Sequence, residues 1–439
     1  MCSILSLLVG YGGGLCILFF GFVWSYRLLL HPLRKYPGPL IAQASDAYCG
    51  YFAVKRCLHL QTYKNLLRYG PVLRQSPNRL VFNSNEHFAK FHLYSAAQPD
   101  LQNRNLVSRV LADRSLRSFE PTMLHQVNIF LKQLFVSSNQ PINLTPRCRY
   151  LGLDIAGHLG FGYDINLQTE DTYRFLFSPE PQPNDAKNDL LAAYRNETDT
   201  DVKRLTQSNL WTEAVFFFQL ETVAVTLAAA FFYLSLNRDC YDQLAKEIRS
   251  TFRDDEDISS GPRLSSCRYL RACIDVTLRM SPPVPCTLWR EAASNDQPLT
   301  VGGHVIPPGT QVGVNIYSLH HNAEYFPSPF EYMPDRWLGD TTAKMAKRDA
   351  FVPFSVGTRS CEGKTMAYLE VSLVLAKTLW HFDFELAPED LGNIDTGKVG
   401  NPKVESVKAN TQIYDNFAAS HDGPVLVFHP RAVSRENLK

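Results

Sequence analysis

A chain of 439 residues, 45% hydrophobic and 20% charged, has globular composition and enough length for one large or two medium domains. Its formal net charge of +1 excludes the basic excess of a nucleic-acid binder. Its ten cysteines are scattered, with no C-x-x-C pair and no metal-finger spacing, which fits reduced thiols rather than a disulfide scaffold.

Residues 4–24 form an uncharged apolar stretch of about the length that spans a bilayer. The first residues, Met1-Cys2-Ser3, carry no cation, while Arg27, Arg34 and Lys35 follow the stretch. The positive-inside rule then predicts a retained transmembrane anchor with the body of the protein in the cytosol. A cleaved signal peptide would want a basic n-region and a small-residue cleavage site. The sequons at Asn143 and Asn196 would face the cytosol and stay unmodified. Residues 25–39 contain His31-Pro32-Leu33-Arg34-Lys35-Tyr36-Pro37-Gly38-Pro39, a basic, proline-rich hinge that resists helix. Residues 40–432 are the expected catalytic domain.

Along that domain, Leu58 to Tyr69 reads as a helix. Val72 to Arg74 and Arg79 to Phe82 read as strands joined by the turn formers Ser76-Pro77-Asn78. Asp113 to Val136 is amphipathic, and Leu151 to Phe161 reads as a further helix. From Asp164 to Asp201 the chain is polar, with Pro179, Pro181 and Pro183 clustered. Trp211 to Leu236 is almost wholly apolar, broken by Glu213, Gln219 and Glu221. Those acids make a membrane span costly, so a buried central helix about 39 Å long is expected. Tyr241 to Thr251 and Arg268 to Met280 are helices, the second stopped by Ser281-Pro282-Pro283. Leu299 to Val301 and His304 to Ile306 flank Gly302-Gly303 as a hairpin, Gln311 to Ile316 alternates as a strand, and Pro327 to Trp337 is coil. The fold class is mainly α with small β-sheets (α+β).

The chemistry concentrates in Phe354-Ser355-Val356-Gly357-Thr358-Arg359-Ser360-Cys361-Glu362-Gly363. A thiolate that binds metal has to be deprotonated, held still and hydrogen-bonded at sulfur. Gly357 and Gly363 let backbone pass close to a flat ligand. Arg359 suits a carboxylate, and Phe354 suits the cover of the sulfur side. A helix-forming run from Lys364 to Trp380 begins just after Cys361, so its positive dipole end favours an anionic sulfur.

Five positions of this loop fit F-x-x-G-x-R-x-C-x-G, and the loop resembles the haem-binding signature of the cytochrome P450 superfamily. Leu227 to Leu234, Arg268 to Asp275 and Pro353-Phe354 look closest to fungal microsomal monooxygenases of secondary metabolism. The resemblance implies a P450-like fold behind an N-terminal transmembrane helix, in the endoplasmic reticulum membrane. It implies haem (iron protoporphyrin IX) as cofactor with Cys361 as the iron ligand. Phe354, Gly357, Arg359 and Gly363 would surround the haem, and Arg290 would reach a propionate. A lipophilic small molecule would be the substrate. An NADPH-dependent cytochrome P450 reductase would be the electron donor, since no flavin or nicotinamide motif occurs in this chain. Glu221 and Thr222 fall where the family carries its acid–Thr proton relay. Cys286, Thr287 and Leu288 are candidates to line the pocket.

Four departures stand beside the resemblance. The family's E-x-x-R pair has its arginine in Arg279, but Val276 occupies the glutamate position, and Arg336 of Pro334-Asp335-Arg336-Trp337 would share that cluster. Asp275 is one residue off, rotated about 100° around a helix, and cannot simply stand in. The small residue expected before Glu221-Thr222 is missing, with Phe218 and Gln219 in its place. Residues 164–201 read as a shortened lid, and the usual Trp before Asp113 is absent, leaving Arg104 or Arg109 as substitutes. The readings are therefore an active monooxygenase, a catalytically impaired or truncated haem-binding relative, and an isomerase-type relative without O2 activation.

Overall fold

The computed structural model describes residues 2–84, 113–161, 165–170, 210–291, 299–339, 349–388, 413–416 and 418–432. Most of the expected short lid, both Arg104 and Arg109, and the sequon at Asn196 lie outside them.

The chain opens with helix α1 (Cys2–Ser25) and a π-helical turn, Tyr26–Leu30. Tyr11–Leu30 is long and apolar enough to cross a membrane, and none of its apolar window is buried against the protein. The proline-rich segment does not stay extended throughout, because Pro32–Lys35 makes a 3-10 turn. Proline is tolerated at a first helical position, where no N–H is needed, and the His31 ring accepts the Leu33 N–H at 3.1 Å. The segment is also clamped. Arg74 is fully buried, and its guanidinium donates to the carbonyls of Arg27 (3.0 Å) and Pro77 (2.8 Å). Its N–H donates to the Pro37 carbonyl at 2.7 Å. A Cβ on Gly38 would sit 2.3 Å from the Arg74 carbonyl oxygen, so only glycine fits there.

Helices α2 (Leu40–Ala44), α3 (Ala47–Val54) and α4 (Leu58–Tyr69) lead into strands β1 (Val72–Ser76) and β2 (Arg79–Phe82). Helix α5 (Asp113–Val136) precedes strand β3 (Pro141–Asn143) and helix α6 (Leu144–Phe161). Helix α6 starts seven residues before the expected Leu151. The Asn143 side chain accepts the Thr145 N–H at 2.9 Å and supplies the early start. Then come α7 (Leu210–Leu236), α8 (Arg238–Thr251), α9 (Pro262–Ser266) and α10 (Arg268–Met280). Strands β4 (Thr287–Glu291), β5 (Leu299–Val301), β6 (His304–Ile306) and β7 (Gln311–Asn315) follow. Strand β7 stops at Asn315, whose side chain accepts the Ser318 N–H and caps α11 (Ile316–His320). After the cysteine loop come α12 (Lys364–His381), β8 (Phe382–Leu386), β9 (Tyr414–Asn416), β10 (Ala418–Ser420) and β11 (Val425–Pro430).

Among the described residues four small sheets result, ordered β1-β2-β7-β4, β3-β11-β8, β5-β6 and β10-β9. In the first, β2 and β7 run parallel, and β4 pairs antiparallel with β7 so that Arg290 faces Val312. The central helix α7 packs on α6, α10 and α12, and from Ala224 to Leu234 nearly every side chain is buried. Phe231 meets Phe384 and Phe428 edge-on, joining helix to sheet. An apolar helix with acids only in its first half is thus a core element.

One buried group works against this core. Glu370 on α12 is 2% exposed, and its Oε1 has no hydrogen-bond partner among the described residues. Burial pushes its carboxyl from the usual 4.5 up to about 8. The raised value fixes the sign: the neutral form contributes fully below pH 4.5, and that stability is lost as pH rises through about 8. Glu370→Gln should therefore flatten the pH dependence of unfolding and gain a few kcal/mol at pH 8. Denaturant unfolding at pH 5 and pH 8 checks this; equal pH slopes in both proteins would remove Glu370 as the cause.

Candidate functional site

The cysteine loop is closed by its own backbone. The Cys361 N–H donates to the Phe354 carbonyl at 2.8 Å, and the Ser360 N–H to the Gly357 carbonyl at 3.1 Å. Gly357 has φ +76° and opens a 3-10 turn, Gly357–Arg359. That value excludes an ordinary side chain at low cost. Ser355 also takes a positive φ, +61°, a sparsely populated conformation that costs on the order of 1 kcal/mol. Gly363 is different: it is the cap residue of α12 with φ −78°, so its backbone does not demand glycine. Cys361 is in no disulfide, has intermediate exposure, and stands just before the N-terminus of α12.

Two arginines converge near this loop. Arg290 projects from β4, and burial followed by the charge of Arg359 lowers its pKa. Two guanidiniums set against each other form a receptor for an anion with separated carboxylates. A thiol at a helix N-terminus, with two arginines able to take carboxylates, is the donor set that a haem requires. Phe354 packs its ring 5.2 Å from Tyr368, half-buried against the main core.

Behind the loop lies the arginine cluster. Arg279 is fully buried and donates to the carbonyls of His320 (3.1 Å), Pro329 (2.6 Å) and Glu331 (3.2 Å). Burial, then the charge of Arg336, lowers its pKa to about 9. The Nε atoms of both Arg279 and Arg336 lack a partner among the described residues. Val276 is 0% exposed, one turn before Arg279 on α10. Asp275 points elsewhere, accepting from Tyr368 and Arg271. The expected loss of a carboxylate at position 276 is thus visible as a fully buried Arg279 and a half-buried Arg336 that repel, with the Glu331 charge favouring Arg336. The cluster also reaches the loop, because the His320 ring accepts the Val352 N–H at 3.0 Å. Burial and Arg279 hold that imidazole neutral, with its pKa lowered to about 3.

On the other side, Glu221 and Thr222 sit on α7 at intermediate exposure. Glu221 pairs with Arg149 of α6 at 2.6 Å. The Thr222 carbonyl accepts the Thr226 hydroxyl at 2.8 Å. The α7 backbone is helical through positions 218 and 219, with no break where a small residue was expected. Cys286 precedes β4 and Thr287 and Leu288 begin it; burial raises the Cys286 thiol pKa. The hairpin β9–β10 packs on α7 through Ile413 and Ala419 against Val225. Sequence reasoning missed this hairpin, as it missed Arg149, His320 and Tyr368, since only folding brings them to the site.

The cytochrome P450 family model matches residues 177–407. The cytochrome P450 monooxygenase poxM of Penicillium oxalicum (strain 114-2 / CGMCC 5302) is 30% identical, covering 95% of this chain and 94% of its own. The cytochrome P450 monooxygenase AKT7 of Alternaria alternata is 29% identical, covering 97% of both chains. The cytochrome P450 monooxygenase apf8 of Gibberella fujikuroi (strain CBS 195.34 / IMI 58289 / NRRL A-6831) reaches 44% identity over 48% of this chain and 57% of its own. The alignment with poxM spans 501 residues, more than the 439 of this chain, so that relative carries segments absent here.

Restoring the carboxylate tests the cluster. Val276→Glu should pair Arg279 and Arg336, raise haem content per chain and stabilise by about 3 kcal/mol. Haem assay by pyridine haemochrome and thermal unfolding report both. Unchanged haem content with lower stability would show that position 276 does not serve the arginines.

Proposed function

Because the chain belongs to the cytochrome P450 family, we propose that it is a haem-thiolate monooxygenase that inserts one oxygen atom of O2 into a lipophilic small molecule. Secondary-metabolite biosynthesis is the setting this reading assigns. The observation that carries it is the closed Cys361 loop, with Arg359 in its 3-10 turn, set just before the N-terminus of α12. Bound haem supplies oxygen activation and C–H oxidation, favoured by thiolate donation to iron.

In this proposal the chain's own residues have separate tasks. Cys361 holds the iron, and the loop hydrogen bond to Phe354 fixes its backbone. Arg290 and Arg359 orient the propionates through forked hydrogen bonds. Gly357 and Gly363 keep side chains off the macrocycle. Glu221 and Thr222 move protons toward the distal side, which requires Glu221 to part from Arg149. That pair is about one-third exposed on each side, so parting costs little, on the order of 1 kcal/mol or less. Cys286, Thr287 and Leu288 bound the substrate.

P450 monooxygenases work with a reductase partner. Here the proposed donor is an NADPH-dependent cytochrome P450 reductase. The apolar helix Tyr11–Leu30 supports single-pass anchoring in the endoplasmic reticulum membrane, with the domain cytosolic by charge asymmetry. A second reading, a haem-binding relative with impaired turnover, is favoured by Val276 standing where a carboxylate would pair the buried Arg279.

The full chain, reduced and exposed to carbon monoxide, should give the absorption band of a thiolate-ligated haem. Cys361→Ala should abolish that band. Haem uptake without the band, or a band that survives Cys361→Ala, would reject the assignment. A thiolate band without substrate oxidation, with reductase supplied, would select the impaired reading.

A further inference from the structure

We infer that Tyr368, tethered by Asp275 and Arg271, is a positioning residue for the cysteine loop, acting through Phe354; this rests on the haem-thiolate reading above. The Tyr368 hydroxyl donates to Asp275 Oδ1 at 2.7 Å. Arg271 Nε reaches both oxygens of the same carboxylate, at 3.1 and 3.2 Å. The Arg271 guanidinium lies 3.5 Å from the centre of the Tyr368 ring, a close cation–π contact. One tyrosine is thus held at its hydroxyl and on its face, from a different helix, α10. Its ring packs 5.2 Å from the Phe354 ring, tilted by 46°. Phe354 in turn takes the Cys361 N–H on its carbonyl. The chain of contacts runs from half-exposed Arg271 through Asp275, Tyr368 and Phe354 to the cysteine backbone.

The arrangement explains why an acid stands at position 275 although it is useless to Arg279. On α10 it faces α12 instead, and its side chain is only 14% exposed. Burial raises the Asp275 pKa, while Arg271, Tyr368 and Lys364 lower it, so the cations around it work to keep the carboxylate available as an acceptor. Lys364, in the first turn of α12, also lies 6.0 Å from the Phe354 ring centre. A loop carrying a positive-φ serine at position 355 gains from being held at Phe354, one residue before it.

The test uses the haem-loaded full chain with Tyr368→Phe, which keeps the ring, and Asp275→Asn. The ferrous carbon monoxide complex is formed, and the decay of its thiolate-ligated band to the thiol-ligated form is timed. Both variants should decay about threefold faster or more, because a loosened loop protonates or loses its sulfur more readily. The unfolding midpoint of Tyr368→Phe should stay at the parental value. A second readout needs no haem: iodoacetamide alkylation of Cys361, followed by peptide mass spectrometry, should quicken in both variants while that of buried Cys148 does not. Parental decay and parental alkylation would overturn the inference. So would faster decay that merely tracks a lower unfolding midpoint, or Cys148 quickening alongside Cys361. Failure of the parental chain to take up haem would instead strike the haem-thiolate reading, leaving the alkylation arm to decide the positioning role.

Discussion

The hydrogen bond from the Cys361 N–H to the Phe354 carbonyl is the constraint on which the site depends. It closes the loop into a turn, and a single such bond contributes only about 1 kcal/mol. The loop survives because other elements share the task. Gly357 accepts a φ that other residues resist, the start of α12 fixes the far end, and the half-buried Phe354 ring packs against the main core. A metal ligand has to be placed before the metal arrives, since positioning costs paid in the fold are not paid on binding. Under the proposed function, the Cys361 loop meets that requirement among the described residues.

The arginine cluster is the second support, and its chemistry is incomplete. Arg279 binds three carbonyls and so fixes α10 against the coil before Trp337. Through His320 and the Val352 N–H it also braces the segment that enters the cysteine loop. Carbonyls satisfy hydrogen bonds but cancel no charge. A buried Arg279 facing Arg336, with Val276 where a carboxylate was expected on α10, leaves an electrostatic cost that falls on the segment leading into the cysteine loop. The weakness and the function are therefore coupled through one short stretch, residues 351 to 354.

Much of this was legible in the sequence for physical reasons. The central helix announced itself by length and apolarity, and α10 by its period and its Pro-rich stop. The loop was readable because glycine, arginine and cysteine requirements are local. The departure at Val276 was readable only through the resemblance, which implies a glutamate three residues before Arg279; helix geometry then excluded Asp275 as its stand-in. What could not be read lay in contacts between distant residues. Tyr368 and Asp275 are 93 positions apart, and Glu221 meets Arg149 only when α6 packs on α7. Strands β8 and β11 pair across a long stretch of chain, and neither announces the other. The early start of α6 rests on a side-chain cap at Asn143, which an apolar-pattern reading passes over.

The central claim is that Cys361 ligates the iron of a bound haem. Iron-edge X-ray absorption on the haem-loaded full chain tests it without reference to any substrate. The account predicts one sulfur in the first coordination shell, replaced by an oxygen or nitrogen scatterer in Cys361→Ser. A first shell of nitrogen and oxygen alone in the parental chain, or a sulfur that persists in Cys361→Ser, would contradict it.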